Sequence, residues 1–141
     1  MNVAAAVSGL LSLTVQITEV TQSYIASILT LSHAVSYYLD ELVNLKKLLS
    51  DIQDALLLHS ASNFALEKVK LNQNLLLATL GECTGDLEQL HVILEDGRGS
   101  TIVSVLKRLT WPLRDSETTR WVGILSKCRH KIQSSVMFSG L

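Results

Sequence analysis

Between residues 31 and 56 one pattern runs unbroken: Leu31, Val35, Tyr38, Leu42, Leu45, Leu49, Ile52 and Leu56 succeed one another at alternating steps of four and three. Only a helix gathers such positions on one face. A repeat of 3.5 residues further favours left-handed packing against other helices at about 20°. Asp40, Glu41, Lys47, Asp51 and Asp54 fall off the stripe, as a solvent-facing side requires. Ser32 is the expected N-cap, and residues 59–63 (His-Ser-Ala-Ser-Asn) the expected connection to the next helix. A stripe of this length needs partner helices to cover it, so the pattern points to a bundle.

The partners can be read on either side. Val69, Leu76, Cys83 and Leu90 stand seven apart, interleaved with Gln73, Leu80, Leu87 and Leu94. Gln73 is the polar exception in this third helix, and Gly81 and Gly85 each lower its propensity by about 1 kcal/mol relative to Ala. Gly97 is a natural terminator and Ser100 a natural start for a short helix over 101–109, carrying Ile102, Val105, Leu106 and Leu109. Pro112 then disfavours helix at Trp111 and breaks the ladder. A final helix is expected to be capped by Ser116, with Glu117 near its N-terminus and Lys127, Arg129 and Lys131 toward its C-terminal end. Its stripe is Trp121, Ile124, Leu125, Cys128, Ile132 and Val136.

The first segment, Asn2 to about Thr30, is different in kind. Glu19 is its single charged residue, and no other charge occurs before Asp40. Val3, Ala4, Ala5, Ala6, Val7, Leu10, Leu11, Leu13, Val15 and Ile17 read as apolar on every face. Such a helix is either central to a core or in contact with lipid. The uncharged run of about 17 residues lies at the lower edge of what spans a bilayer. Ser8, Ser12, Thr14 and Gln16 argue against a permanent span, which leaves a buried helix with conditional membrane affinity.

Composition supports the same architecture. Of 141 residues 48% are hydrophobic but 5% aromatic, with one Pro, so the core is built from aliphatic side chains on long helices rather than from short strands. The expectation is an all-α four-helix bundle, long helices plus a short extra one before the Trp-Pro break, in a single domain over 1–141. The net charge of −1 conceals an asymmetry: residues 1–97 hold 4 basic and 11 acidic side chains, and residues 98–141 hold 8 and 2. Either the basic last region pairs with acidic neighbours inside the bundle, or Lys107, Arg108, Arg114, Arg120, Lys127, Arg129 and Lys131 meet anionic lipid. Nucleic acid is not expected as a partner, since neither the overall charge nor any motif suits it.

The search for chemistry finds little. Cys83 and Cys128 have no close-spaced companions for zinc and fall on apolar stripes, where a free thiol behaves as a small hydrophobe. His33, His59, His91 and His130 are scattered, without the spacing of a zinc helix. No phosphate-binding loop, dinucleotide fingerprint or nucleophile elbow occurs, so neither an enzyme nor a cofactor is expected. The beginning of the chain lacks the basic stretch of a secretory signal, which suggests a cytoplasmic protein.

Three stretches together carry a family resemblance: Ala-Val-Ser-Gly-Leu-Leu-Ser-Leu from Ala6 to Leu13, the Gly-Glu-Cys run from Gly81 through Leu87 to Leu90, and Leu-Lys-Arg-Leu-Thr-Trp-Pro-Leu-Arg from Leu106 to Arg114. The chain resembles the HeLo-like domain found at the N-terminus of fungal NOD-like receptors and other STAND proteins. That resemblance implies regulated cell death. A receptor portion beyond the chain end senses a ligand, the bundles self-associate, and the first helix inserts into the plasma membrane and permeabilises it. Val3, Val7, Leu10, Leu11, Leu13 and Val15 are then the inserting residues. Lys107, Arg108, Arg114, Lys127, Arg129 and Lys131 are candidate contacts to anionic membrane lipid. The competing expectation is a non-toxic helical module for protein interaction or oligomerisation within a signalling receptor.

Overall fold

Each stripe finds its cover in the others. The computed structural model describes residues 2–26, 28, 30–60, 66–97 and 111–139, with side chains described for all of these except 59–60, 66–72, 97 and 138–139. The helices among these residues are α1 (Val3–Ile25), α2 (His33–Ser60), α3 (Leu66–Gly97) and α4 (Asp115–Ser139). Together they form an all-α four-helix bundle.

Helix α1 packs on α2 and α3, and α4 packs on the same two, so α2 and α3 stand across a diagonal although they are consecutive in the chain. Directions are set by individual contacts. Gln53 of α2 donates to Ser8 of α1 while Thr21 and Tyr38 share a hydrogen bond at the other end, which makes α1 and α2 antiparallel. Tyr24 reaches Leu94, late residue to late residue, so α1 and α3 are parallel. Thr79 meets Ser135 and Cys83 meets Cys128, so α3 and α4 are antiparallel.

The expected stripes line the core. Val35, Tyr38, Leu42, Leu45, Leu49 and Ile52 are buried from α2; Leu76, Leu80, Cys83, Leu87, Leu90 and Leu94 from α3; Trp121, Leu125, Cys128 and Ile132 from α4. Leu56, Ile124 and Val136 are half-buried at the margins. Gln73, the polar exception, is half-buried as well.

Element ends differ from the sequence reading in five places. Helix α1 stops at Ile25, not Thr30, and the Ile28 N–H turns back to the Ile25 carbonyl. Leu31 precedes α2 and is exposed, because Ser32 Oγ accepts the Val35 N–H at 3.2 Å and starts the helix after it. His59 and Ser60 belong to α2. Ser116 lies inside the first turn of α4: the Thr118 N–H and Oγ1 both donate to the Arg114 carbonyl, so Arg114 takes the capping position that Ser116 was expected to fill. Finally, α4 continues to Ser139, which leaves Lys127, Arg129 and Lys131 about two turns or more short of its end and outside the reach of its terminal dipole. The connection at 61–63, Ser100 and the short helix expected over 101–109 lie outside the described residues.

Gly81 offers a direct check on α3. It is exposed in mid-helix, and a Cβ built there meets nothing within 4 Å. Gly81→Ala is expected to stabilise the bundle by about 1 kcal/mol and raise the Tm by roughly 3 °C in a thermal melt. A lower Tm would contradict an exposed helical position.

Candidate functional site

Helix α1 begins where Asn2 Oδ1 accepts the Ala5 N–H at 2.7 Å. From there its buried positions are Val3, Val7, Leu10, Thr14, Ile17, Val20, Thr21 and Tyr24; all but Val20 follow the four-three spacing of α2. Two threonines occupy this stripe without leaving a hydroxyl unpaired. Thr14 Oγ1 donates to the Leu10 carbonyl at 2.7 Å, and Thr21 Oγ1 lies 2.9 Å from Tyr38 Oη. The expectation of an apolar helix on every face is corrected accordingly: the large side chains lie on one side. The outward face is Ala4, Ala5, Ser8, Gly9, Ser12, Gln16, Glu19 and Gln22.

Of the candidate inserting residues, Val3, Val7 and Leu10 are buried between α1 and its neighbours. Leu11, Leu13 and Val15 are half-buried at the edges of the stripe. All six are therefore at least partly covered in this state, and lipid would reach the buried three only once α1 has left the bundle. By length and composition α1 is capable of crossing a bilayer. Its 23 residues extend about 35 Å, against about 30 Å of hydrocarbon, and its most apolar window has a mean hydropathy of 1.5. A core helix of a soluble bundle meets the same criteria, so the outward face is the more discriminating feature. The outward positions of α2 include Asp40, Lys46, Lys47, Asp51 and Asp54, and those of α3 include Glu82, Glu88, Glu95 and Asp96. Helix α1 carries one charge, Glu19, near its last turn.

Among the described residues, the basic candidates do not form one patch. Lys107 and Arg108 lie outside the described residues. Arg114 is exposed, 3.9 Å from Glu117 in the first turn of α4. Lys127 is exposed. Arg129 turns the other way, toward α2, where its Nε and Nη2 donate to the two carboxylate oxygens of Glu41 at 3.2 and 3.4 Å, both side chains largely covered. Lys131 reaches Glu82 of α3 at 3.4 Å. Arg120 lies over the Trp121 ring, 5.6 Å from its centroid. Arg129 and Lys131 thus pair with acidic neighbours inside the bundle, and the guanidinium of Arg129 in particular is committed to a two-pronged, charge-assisted contact.

An aromatic cluster at one end of the bundle was not foreseen. Trp111, in the non-helical stretch before α4, meets the Tyr24 ring edge-on at 5.9 Å and the Tyr38 ring at 5.3 Å. Its Nε1 donates to Thr118 Oγ1 at 3.1 Å. Tyr24 Oη donates to the Leu94 carbonyl at 2.5 Å, tying the end of α1 to the end of α3. Burial pushes the Tyr38 phenol well above its ordinary range, more than the hydrogen bond with Thr21 lowers it, so it stays protonated. These contacts join residues far apart in sequence, which leaves no local pattern to find. The α1 stripe, by contrast, was there to be read had Thr been allowed a core position.

Among the described residues, no group of three or more His, Cys, Asp or Glu side chains is placed to hold a metal ion. No family model, characterised protein or solved structure matches the chain.

Proposed function

We propose that this chain is a membrane-permeabilising domain of regulated cell death, whose α1 leaves the bundle and inserts when copies of the protein self-associate. The observation that carries the reading is the outward face of α1. A helix kept permanently in a soluble bundle gains from charges on its solvent side, and the other three helices have them. Over residues 3–18, α1 has none. Its buried stripe and its bare outer face together make a helix that lipid can surround after release. The HeLo-like resemblance supports the same reading and adds its setting: a cytoplasmic protein, a receptor portion beyond this chain that triggers association, and the anionic plasma membrane as target. Arg114 and Lys127 are exposed in the closed bundle and are candidates to meet that surface.

Dye release from anionic liposomes tests the proposal, with the domain fused to a trimeric coiled coil to force association. The informative variant is Ala5→Glu with Ser12→Glu. Both positions face solvent, so the bundle is expected to keep its Tm within about 2 °C. Ser12 lies near the middle of α1, where a carboxylate adds about 2.5 kcal/mol or more to insertion, so leakage should fall about 70-fold or more, with a smaller addition from Ala5→Glu near the helix end. Equal leakage by a folded double variant would refute insertion of α1. No leakage by the associated wild type would favour the interaction module, to which exposed apolar side chains such as Val43, Leu58 and Met137 offer contacts.

A further inference from the structure

The two cysteines, which the sequence presents as core filler, lie together on the seam between α3 and α4. Cys83 Sγ is 3.9 Å from the Cys128 carbonyl oxygen, and Cys128 Sγ is 3.7 Å from Asp86 Oδ2. Both cysteines line a cavity of about 220 Å³, whose walls include Glu82, Lys127 and Lys131. Those three side chains are exposed, so the rim of the cavity meets solvent, while the cysteines on its inner wall are 1% and 3% exposed.

We propose that Cys83 and Cys128 are a redox pair that a small hydroperoxide oxidises, by way of a Cys83 sulfenic acid, to an intramolecular disulfide stapling α3 to α4. The geometry separates this pair from isolated core thiols: the Cys83 sulfur against the Cys128 backbone, a carboxylate 3.7 Å from the Cys128 sulfur, and two ammonium groups on the walls of a shared cavity.

The roles of the two sulfurs are set by their surroundings. The neighbouring Cys128 thiol holds the Cys83 thiol below its ordinary range; burial, Asp86 and Glu82 oppose this, and Lys131 adds to it. The same proximity, together with burial and Asp86, pushes the Cys128 thiol up. Cys128, whose S–H faces the Asp86 carboxylate, is the thiol placed to resolve, and Cys83 is the one left to attack. In the first step Cys83 sulfur attacks one peroxide oxygen and the O–O bond breaks. The departing hydroxide takes up a proton and leaves as water, and Cys83 becomes a sulfenic acid. In the second, Cys128 passes its proton to Asp86 and its sulfur attacks that of Cys83. The S–O bond breaks, and the hydroxyl departs with the proton from Asp86 as a second water. Two thiols and one hydrogen peroxide thus give one disulfide and two waters.

Hydrogen peroxide added to the intact chain tests the pair, read by non-reducing peptide mapping and intact mass. The expected product is a monomer lighter by two hydrogens, with the Cys83 and Cys128 peptides cross-linked. Its Tm should rise by roughly 10 °C and return on adding dithiothreitol. The Cys128→Ser variant should accumulate a dimedone-reactive sulfenic acid at Cys83, and Cys83→Ser should leave Cys128 much less reactive. A disulfide between chains, over-oxidation of one cysteine without a cross-link, or thiols that survive peroxide sufficient to oxidise free cysteine would each overturn the proposal. Should either serine variant fail to fold, the wild-type map still decides. This seam does not involve α1, so the result stands apart from that of the leakage experiment.

Discussion

Val7→Glu is expected to unfold the bundle. Val7 is completely buried on the α1 stripe, where the helix faces α2 and α3, and nothing basic lines that stripe. Loss of the valine side chain forfeits about 1.5 kcal/mol of burial. The carboxylate that replaces it must stay charged without a partner, take up a proton in an apolar site, or push α1 aside, and each route costs several kcal/mol more. The sum is about 5 kcal/mol or above, comparable to the whole stability of many domains of this size. Urea unfolding monitored by circular dichroism should show the midpoint collapse toward zero denaturant, while Ser12→Glu, less than two turns away on the outer face, moves it little. A Val7→Glu chain that unfolds at the wild-type midpoint would mean that α1 is not seated as described. The contrast decides how the membrane reading can be tested at all. A charge at Val7 removes the fold together with any insertion, so loss of leakage there carries no information, whereas the outward positions separate the two.

How much of this was legible depended on which physical property the sequence displayed. The α2 stripe was plain because Val, Tyr, Leu and Ile fill every turn of it, and the structure buries six of its members. The α1 stripe has the same spacing but was hidden from a reading by hydropathy. Thr14 and Thr21 count as polar, while Ala4 and Ala5 on the outside count as apolar, so the faces look alike. Side-chain size would have separated them: the bulk lies at Val3, Val7, Leu10, Ile17 and Tyr24, and Ala, Ser and Gly lie opposite. Pairing of the basic end with the acidic part was one of two open expectations from the charge asymmetry. That Arg129 would choose Glu41, 88 residues away, was not, since only the diagonal placement of α2 and α3 brings α4 beside α2. No local rule sets that placement.

The aromatic end of the bundle leads to the second large effect. Trp111→Ala is expected to cost about 3 kcal/mol and lower the Tm by roughly 10 °C. The indole is half-buried, yet it is the common neighbour of Tyr24, at the end of α1, and Tyr38, near the start of α2. Truncating it leaves both phenol rings facing a void and Thr118 without its Nε1 partner, although Thr118 Oγ1 retains its bond to the Arg114 carbonyl. Trp111→Phe, which keeps most of the ring contact and loses the donor, should cost about 1 kcal/mol. The more telling readout is functional. If α1 must leave the bundle to permeabilise a membrane, then Trp111 restrains it, and Trp111→Ala should leak liposomes at lower protein concentration than wild type. Leu125→Ala is the matched control: fully buried on α4, diagonal to α1, it should lose comparable stability with a smaller gain in leakage. Greater leakage from Trp111→Ala than from Leu125→Ala at equal Tm would tie permeabilisation to release of α1 itself. Equal leakage from both would trace it to general loosening of the bundle, and the restraining role of Trp111 would fall.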